Sequence, residues 1–224
     1  TGSDGKTTTS TITAELLRAQ GYTVHLGGNI GTPLFDRIAD IRPDDFAVLE
    51  LSSFQLHSMH CAPDVAIITN ISPNHLDVHP DFEDYVSAKC SIYRGQRPDG
   101  VLVLNARDAH TPRFAAEAPG SVRYFSSIGP VENGVYCSDG VIYRAHGDEA
   151  EKLIDVSDIR IPGAHNVENY MAAFAATDGL VGQAACVQVA RSFAGVPHRM
   201  ERIRELNGIT FINDSIASSP TRTI

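Results

Sequence analysis

The chain has 224 residues, 42% of them apolar and 20% charged, with a formal net charge of −9. That length can bury the core of one large α/β domain or two small ones, and the acidic balance argues against a nucleic-acid surface, where a basic patch is expected. No apolar run approaches the roughly 18 residues of a membrane span, and no signal-peptide pattern is visible.

The opening stretch Thr1-Gly2-Ser3-Asp4-Gly5-Lys6-Thr7-Thr8-Thr9 is a Gly-rich turn running into Gly-Lys-Thr. A helix-compatible segment from Thr11 to Gln20 follows, apolar at Ile12, Ala14, Leu16 and Leu17. Such a loop aims backbone N–H groups at one point, at the positive end of a helix, and so forms a phosphate cradle from Gly2 through Thr8. Glycine serves where the turn visits positive φ and where a Cβ would block the phosphate. Lys6 would reach the β- and γ-phosphates, and the Thr7 hydroxyl would ligate Mg²⁺. A P-loop hangs from a buried strand that precedes it, so the chain reads as a central piece of a longer polypeptide.

A short strand, Tyr22–Leu26, ends in Gly27-Gly28-Asn29-Ile30-Gly31, and a second Gly-rich turn at a strand's carboxyl end is where open α/β sheets place ligands. Asn29 there is either a substrate hydrogen-bonder or a left-handed turn residue. Phe46–Leu51 has the apolar run of a buried parallel strand, and Glu50 at its end fits the second Mg²⁺ anchor beside a P-loop. Ser52, Ser53 and Gln55 follow. A further strand, Asp64–Asn70, leads to His75, whose position beyond a strand end matches that of Glu50; His57, His60 and His79 read as surface residues. Asp81 caps a helix to Arg94, and Lys89 lies among its apolar positions, an anomaly that snorkelling could explain.

Val101–Asn105 predicts another buried strand, Ala106–Glu117 a helix, and Val122–Phe125 a strand. Val135–Tyr143 carries Asp-Gly in a hairpin turn, and Leu153–Ile161 extends this antiparallel part. A helix follows Pro162-Gly163 to about Leu180, then a second from Ala184 to Ala194. A last hairpin pairs Ile203–Leu206 with Ile209–Asn213. The β–α alternation up to residue 120 predicts an α/β fold with a mostly parallel, P-loop NTPase-like sheet flanked by helices, right-handed crossovers, and antiparallel strands added at one flank. The four cysteines, Cys61, Cys90, Cys137 and Cys186, have no paired spacing, so neither a zinc site nor a disulfide framework is indicated, and a reducing cytoplasm is the simplest compartment.

Taken together, Thr-Gly-Ser-Asp-Gly-Lys-Thr, Gly-Gly-Asn-Ile-Gly, Glu-Leu-Ser-Ser-Phe-Gln-Leu, Asn-His-Leu-Asp, Ala-Lys-Cys-Ser-Ile-Tyr, Gly-Ala-His-Asn-Val-Glu-Asn and Pro-His-Arg-Met-Glu occur in the order of the Mur ligases, and the chain resembles that family over nearly its whole length. The Glu50–Leu56 run and the Gly27-Gly28-Asn29 turn are similar to the D-glutamate-adding branch. The resemblance implies the central ATP-binding domain, without the flanking domains that hold the UDP moiety and the incoming amino acid. It implies peptidoglycan precursor synthesis, in which the carboxylate of UDP-N-acetylmuramoyl-L-alanine attacks the γ-phosphoryl of ATP and D-glutamate's amine then displaces phosphate. It also implies two Mg²⁺ ions, one held by Thr7 and Glu50 and one near His75, with Lys89 carbamylated so that a buried ammonium becomes an anion suited to the second ion. By the same likeness Asn166 and Asn169 match residues at the adenine, Arg199 and Asp214 residues near the phosphates and ribose, and Asn29, Ser52 and Gln55 residues facing the muramoyl substrate. Ile216 stands where some members carry a lysine, and no role transfers to it. Another Mur or folylpolyglutamate-type ligase is the near alternative; a P-loop kinase or NTPase is the distant one, disfavoured because it leaves Glu50, His75 and Lys89 without a shared use.

Overall fold

The structure, a computed structural model, describes residues 1–31, 34–73 and 78–215. In chain order the elements are α1 (Lys6–Ala19), β1 (Val24–Gly28), a 3₁₀ turn (Phe35–Asp40), β2 (Phe46–Glu50), α2 (Ser53–Ser58), β3 (Val65–Ile68), α3 (Phe82–Arg94), β4 (Val101–Asn105) and α4 (Thr111–Glu117). They continue with β5 (Ser121–Ser126), β6 (Asn133–Ser138), β7 (Val141–His146), β8 (Glu149–Asp155), α5 (Ala164–Ala176), α6 (Gln183–Ser192), β9 (Glu201–Leu206) and β10 (Ile209–Asn213).

Six strands form one sheet in sequence order from β3 to β8, parallel from β3 to β6 and antiparallel from β6 to β8. Strands buried on both faces need apolar residues at successive positions, because neighbours point to opposite sides. β4 meets that need: Val103 joins the core beneath α1, α5 and α6, while Leu102 and Leu104 join the core beneath α2, α3 and α4. Phe125 of β5 and Val135 of β6 continue the first core, which is filled by Met171 to Ala175 of α5, all fully buried. The result is a three-layer α/β/α sandwich, as the alternation predicted. All four apolar residues noted on the first helix (Ile12, Ala14, Leu16 and Leu17) are buried.

Several boundaries differ from those read in the sequence. α1 begins at Lys6 rather than Thr11, its threonine-rich first turns bonded back through Thr11 Oγ1 to the Thr7 carbonyl and Thr13 Oγ1 to the Thr9 carbonyl, each at 2.8 Å. α4 starts five residues later than Ala106, because Asn105 and Asp108 side chains accept from the Arg107 and His110 N–H groups and hold a turn instead. β8 lies earlier than expected and is followed by a 3₁₀ turn at Val156–Asp158. The parallel strands also divide: β1 and β2 form a separate two-stranded sheet, while Thr1 and Ser3 run along β3, with Thr69 N–H donating to the Thr1 carbonyl at 3.1 Å and Ser3 N–H to the Asn70 carbonyl at 2.9 Å. The β9–β10 hairpin pairs as expected but forms its own sheet rather than joining the flank of the large one.

Candidate functional site

The opening loop is clamped from below by the end of β3. Thr69 Oγ1 donates to the Asp4 carbonyl at 2.6 Å, and the Asn70 amide both accepts from Asp4 N–H at 2.9 Å and donates to the Asp4 carbonyl at 3.1 Å. Ser3 is buried, its hydroxyl bonded to Tyr85 at 2.9 Å and to both backbone groups of Ser72. Gly2 and Gly5 hold positive φ values of 147° and 78°. The space a Cβ would need is taken by the protein itself, by Thr69 Oγ1 at Gly2 and by Asn169 Oδ1 at Gly5. The glycines therefore serve first to let β3 and α5 close on the loop, which the sequence reading had attributed to a phosphate. Gly5→Ala is expected to destabilise the fold by about 2–3 kcal/mol, a left-handed residue plus a clash with a buried amide, measurable as a lower urea midpoint at unchanged slope.

Gly5 caps α1 in the left-handed conformation and, being glycine, supplies no side-chain cap. The first turn, with Lys6, Thr7 and Thr8, so presents its amide end to the loop. Lys6 Nζ donates to the Ser3 carbonyl at 3.0 Å.

Glu50, the last residue of β2, is 2% exposed. Its register partner is Gly28, and the next residue, Asn29, donates to it twice: backbone N–H to the Glu50 carbonyl at 2.7 Å and Nδ2 to Oε1 at 3.1 Å. The other carboxylate oxygen, Oε2, is buried and has no hydrogen-bond partner among the described residues. An unpaired buried acceptor is costly, and a bare carboxylate oxygen on a residue close enough to act on Thr1 and Lys89 is a donor atom suited to a hard cation. Asn29, expected to face substrate, also has a structural task in steering Glu50.

Lys89 is 2% exposed and lies on α3, four residues after Tyr85, so the two share a helix face. Its Nζ sits 4.6 Å from the Tyr85 ring centroid and donates to the Gly2 carbonyl at 2.8 Å. Burial, and next the Lys6 charge, pull its pKa down from the usual 10.5 to about 7. Snorkelling is thus excluded: the amine points inward. A cavity of about 270 Å³ joins these groups, lined by Lys6, Asn29, Ser52, Ser53, Phe54, Tyr85 and Lys89.

The remaining expected residues fall in three places. Ser52 and Gln55 form a reciprocal cap on α2, Gln55 Oε1 accepting from Ser52 N–H at 2.9 Å and Gln55 N–H donating to Ser52 Oγ at 3.3 Å, so part of their polar capacity is spent on the helix. Asn166 and Asn169 join α5 to α1: Thr9 Oγ1 donates to Asn169 Oδ1 and Asn169 Nδ2 to Asn166 Oδ1, both at 3.2 Å. Arg199 and Asp214 flank the β9–β10 hairpin, where Asp214 accepts from Met200 N–H at 3.0 Å and the Arg199 Nε is buried without a partner among the described residues. His75 and Ile216 lie outside the described residues. His79 corrects the sequence reading: it is 5% exposed, because α2 and α3 pack over it, with Nδ1 at 2.6 Å from Asp84 and Nε2 at 3.0 Å from Ser53. His57 is exposed, as expected. Among the described residues no group of three or more His, Cys, Asp or Glu side chains could hold a metal alone.

Residues 1–177 match the Mur ligase middle domain. The chain is 52% identical over 224 residues to the UDP-N-acetylmuramoylalanine–D-glutamate ligase of Acetivibrio thermocellus and 50% identical to that of Clostridium botulinum, covering all of this chain and 48% of each relative. The chain therefore spans about half the length of the curated relatives it matches. Among solved structures it is similar to MurF from Acinetobacter baumannii (TM-score 0.76, 22% identity, 99% of this chain and 50% of that one) and to the MurF ligase from Thermotoga maritima in complex with ADP (TM-score 0.65, 22% identity, 95% of this chain and 51% of that one). These likenesses show the fold.

Proposed function

The chain belongs to the Mur ligase family, and on that premise we propose that it is the central nucleotide-binding domain of an ATP-dependent ligase joining D-glutamate to UDP-N-acetylmuramoyl-L-alanine in peptidoglycan precursor synthesis. The observation that carries the reading is that Lys6 and Lys89 line one cavity with Asn29, which holds Glu50, a buried carboxylate close enough to act on the Lys89 charge. Two anions, a carboxylate and a triphosphate, must approach for phosphoryl transfer, so the protein's work is neutralisation and positioning.

Lys6 and the first-turn amides of α1 would hold the β- and γ-phosphates. Thr7 and Glu50 would hold one Mg²⁺, and His75 with a carbamylated Lys89 would hold or orient a second. When bound, the ions neutralise charge on the phosphates and on the carboxylate beside them. Lys89 is fit for carbamylation because a pKa near 7 leaves much of it as free amine at neutral pH, and the amine is the form that takes up CO₂. Asn29 and Ser52, both lining the cavity, would face the muramoyl carboxyl group; Gln55, Asn166, Asn169, Arg199 and Asp214 would complete the substrate, adenine and ribose contacts. The flanking domains of the polypeptide would bring the UDP moiety and the amino acid, in the cytoplasm.

The test is phosphate release by the full-length polypeptide with UDP-N-acetylmuramoyl-L-alanine, Mg·ATP and one amino acid at a time. Turnover with D-glutamate alone is expected. Turnover with L-lysine or L-glutamate but not D-glutamate overturns the assignment.

A further inference from the structure

We propose that Ser53, His79 and Asp84 form a proton relay that receives the proton of the incoming amine, with Ser53 as its contact point in the cavity; this rests on the ligase reading above. Ser53 is the first residue of α2 and lines the same cavity as Lys6 and Lys89. Its Oγ is 3.0 Å from His79 Nε2, and His79 Nδ1 is 2.6 Å from Asp84 Oδ2. A carboxylate can only accept, so Nδ1 carries the ring proton and, in the neutral imidazole, Nε2 is the acceptor. The Ser53 hydroxyl then donates to Nε2 and keeps its lone pairs for whatever enters the cavity. Lys6 and Lys89 give the same wall its cationic donors, while Ser53 supplies an acceptor backed by a base, which suits an N–H group rather than an oxyanion.

The surroundings hold this arrangement in place. Phe54 stacks on the His79 ring with centroids 5.4 Å apart, and Tyr85 meets it edge-on at 5.3 Å. Asp84 is shared with the exposed His57, whose Nε2 lies 3.3 Å from Oδ1. The hydrogen bond from His79, with a smaller one from His57, holds the Asp84 carboxyl below the usual carboxylate range, so the anion is there to stabilise an imidazolium.

In the amide-forming step the amine nitrogen bonds to the acyl carbon, the bond from that carbon to the phosphate oxygen breaks, and phosphate leaves with the electron pair. One N–H proton moves to Ser53 Oγ as the Ser53 proton moves to His79 Nε2, and the imidazolium beside Asp84 later returns it to solvent. Forming the acyl phosphate needs no such proton transfer. Ser53 is accordingly a catalytic residue of the second half-reaction alone, and His79 and Asp84 are positioning residues that act through it.

That division sets the experiment, on the full-length ligase. Acyl-phosphate formation is read by positional isotope exchange of ¹⁸O in ATP with UDP-N-acetylmuramoyl-L-alanine and no amine, and amide formation by product release with D-glutamate. Ser53→Ala and His79→Gln, the latter keeping an acceptor without a base, are expected to slow amide formation about 100-fold while exchange stays within about twofold of wild type. Ser53→Thr, which keeps the hydroxyl, should restore most of the rate. If the two readouts fall together, His79 merely props Tyr85 and the loop beneath it, and the relay is wrong. It is equally wrong if His79→Gln ligates at the wild-type rate. Absence of exchange in the wild type would instead sink the acyl-phosphate reading itself.

Discussion

Replacing Lys89 with alanine in the full-length ligase is expected to lower ligation by on the order of 10³-fold, the scale seen when a preorganised charge-stabilising group is lost. Short carboxylates such as formate or acetate should restore part of it. The argument is geometric. Lys89 cannot leave its pocket: α3 buries it, Tyr85 lies under its tip and the Gly2 carbonyl takes its hydrogen bond. It lines the cavity it shares with Lys6 and Asn29. An ammonium there would repel the Lys6 charge, whereas a carbamate supplies an anion that a small acid can imitate. Wild-type rates from Lys89→Ala, with no acid added, would refute that role. Stability offers an independent check in CO₂-free buffer. The folded pKa of about 7 lies below the usual 10.5. Between those values the unfolded chain binds more protons, so wild-type stability rises with pH across that window and the penalty is largest below it. Lys89→Met should flatten this rise.

How far the sequence reached depended on whether a residue's neighbours were close along the chain. Val101–Asn105 was legible to the residue because an apolar run between turns has one meaning in an α/β alternation, and the Asp139-Gly140 hairpin because its turn chemistry is local. Lys89 stood out since a lone cation at an apolar helical position needs a partner. The clamp on the loop did not stand out. Thr69 and Asn70 look like any strand end until β3 is laid beside Thr1 to Asp4, more than sixty residues away. His79 was misread for the same reason, since α2, whose Ser53 bonds its ring, lies 26 residues away along the chain. One signal was available: Tyr85 precedes Lys89 by one helical turn, which places an aromatic face under any lysine that turns inward.

Glu50→Gln should be nearly as damaging as loss of Lys89, and for a separable reason. The substitution keeps the side chain's length and its acceptor for Asn29 Nδ2, so the β2 terminus and the Asn29 turn stay in place. What it removes is the charge and the bare Oε2. If that oxygen is a cation ligand, Mg·ADP stabilises the wild-type protein by mass action, about 2.7 kcal/mol at one hundred times its dissociation constant. Most of this gain should vanish in Glu50→Gln while the stability without nucleotide changes little. Ligation should fall on the order of 10²–10³-fold, with a raised Mg²⁺ requirement. Thermal shift with and without Mg·ADP, and rate against Mg²⁺ concentration, read the two effects separately. An unchanged Mg²⁺ requirement would leave the buried oxygen unexplained and remove the reason for placing a cation between β2 and α1. Loss of stability without nucleotide, to the same extent as with it, would make Glu50 a structural acid whose partner is Asn29 alone.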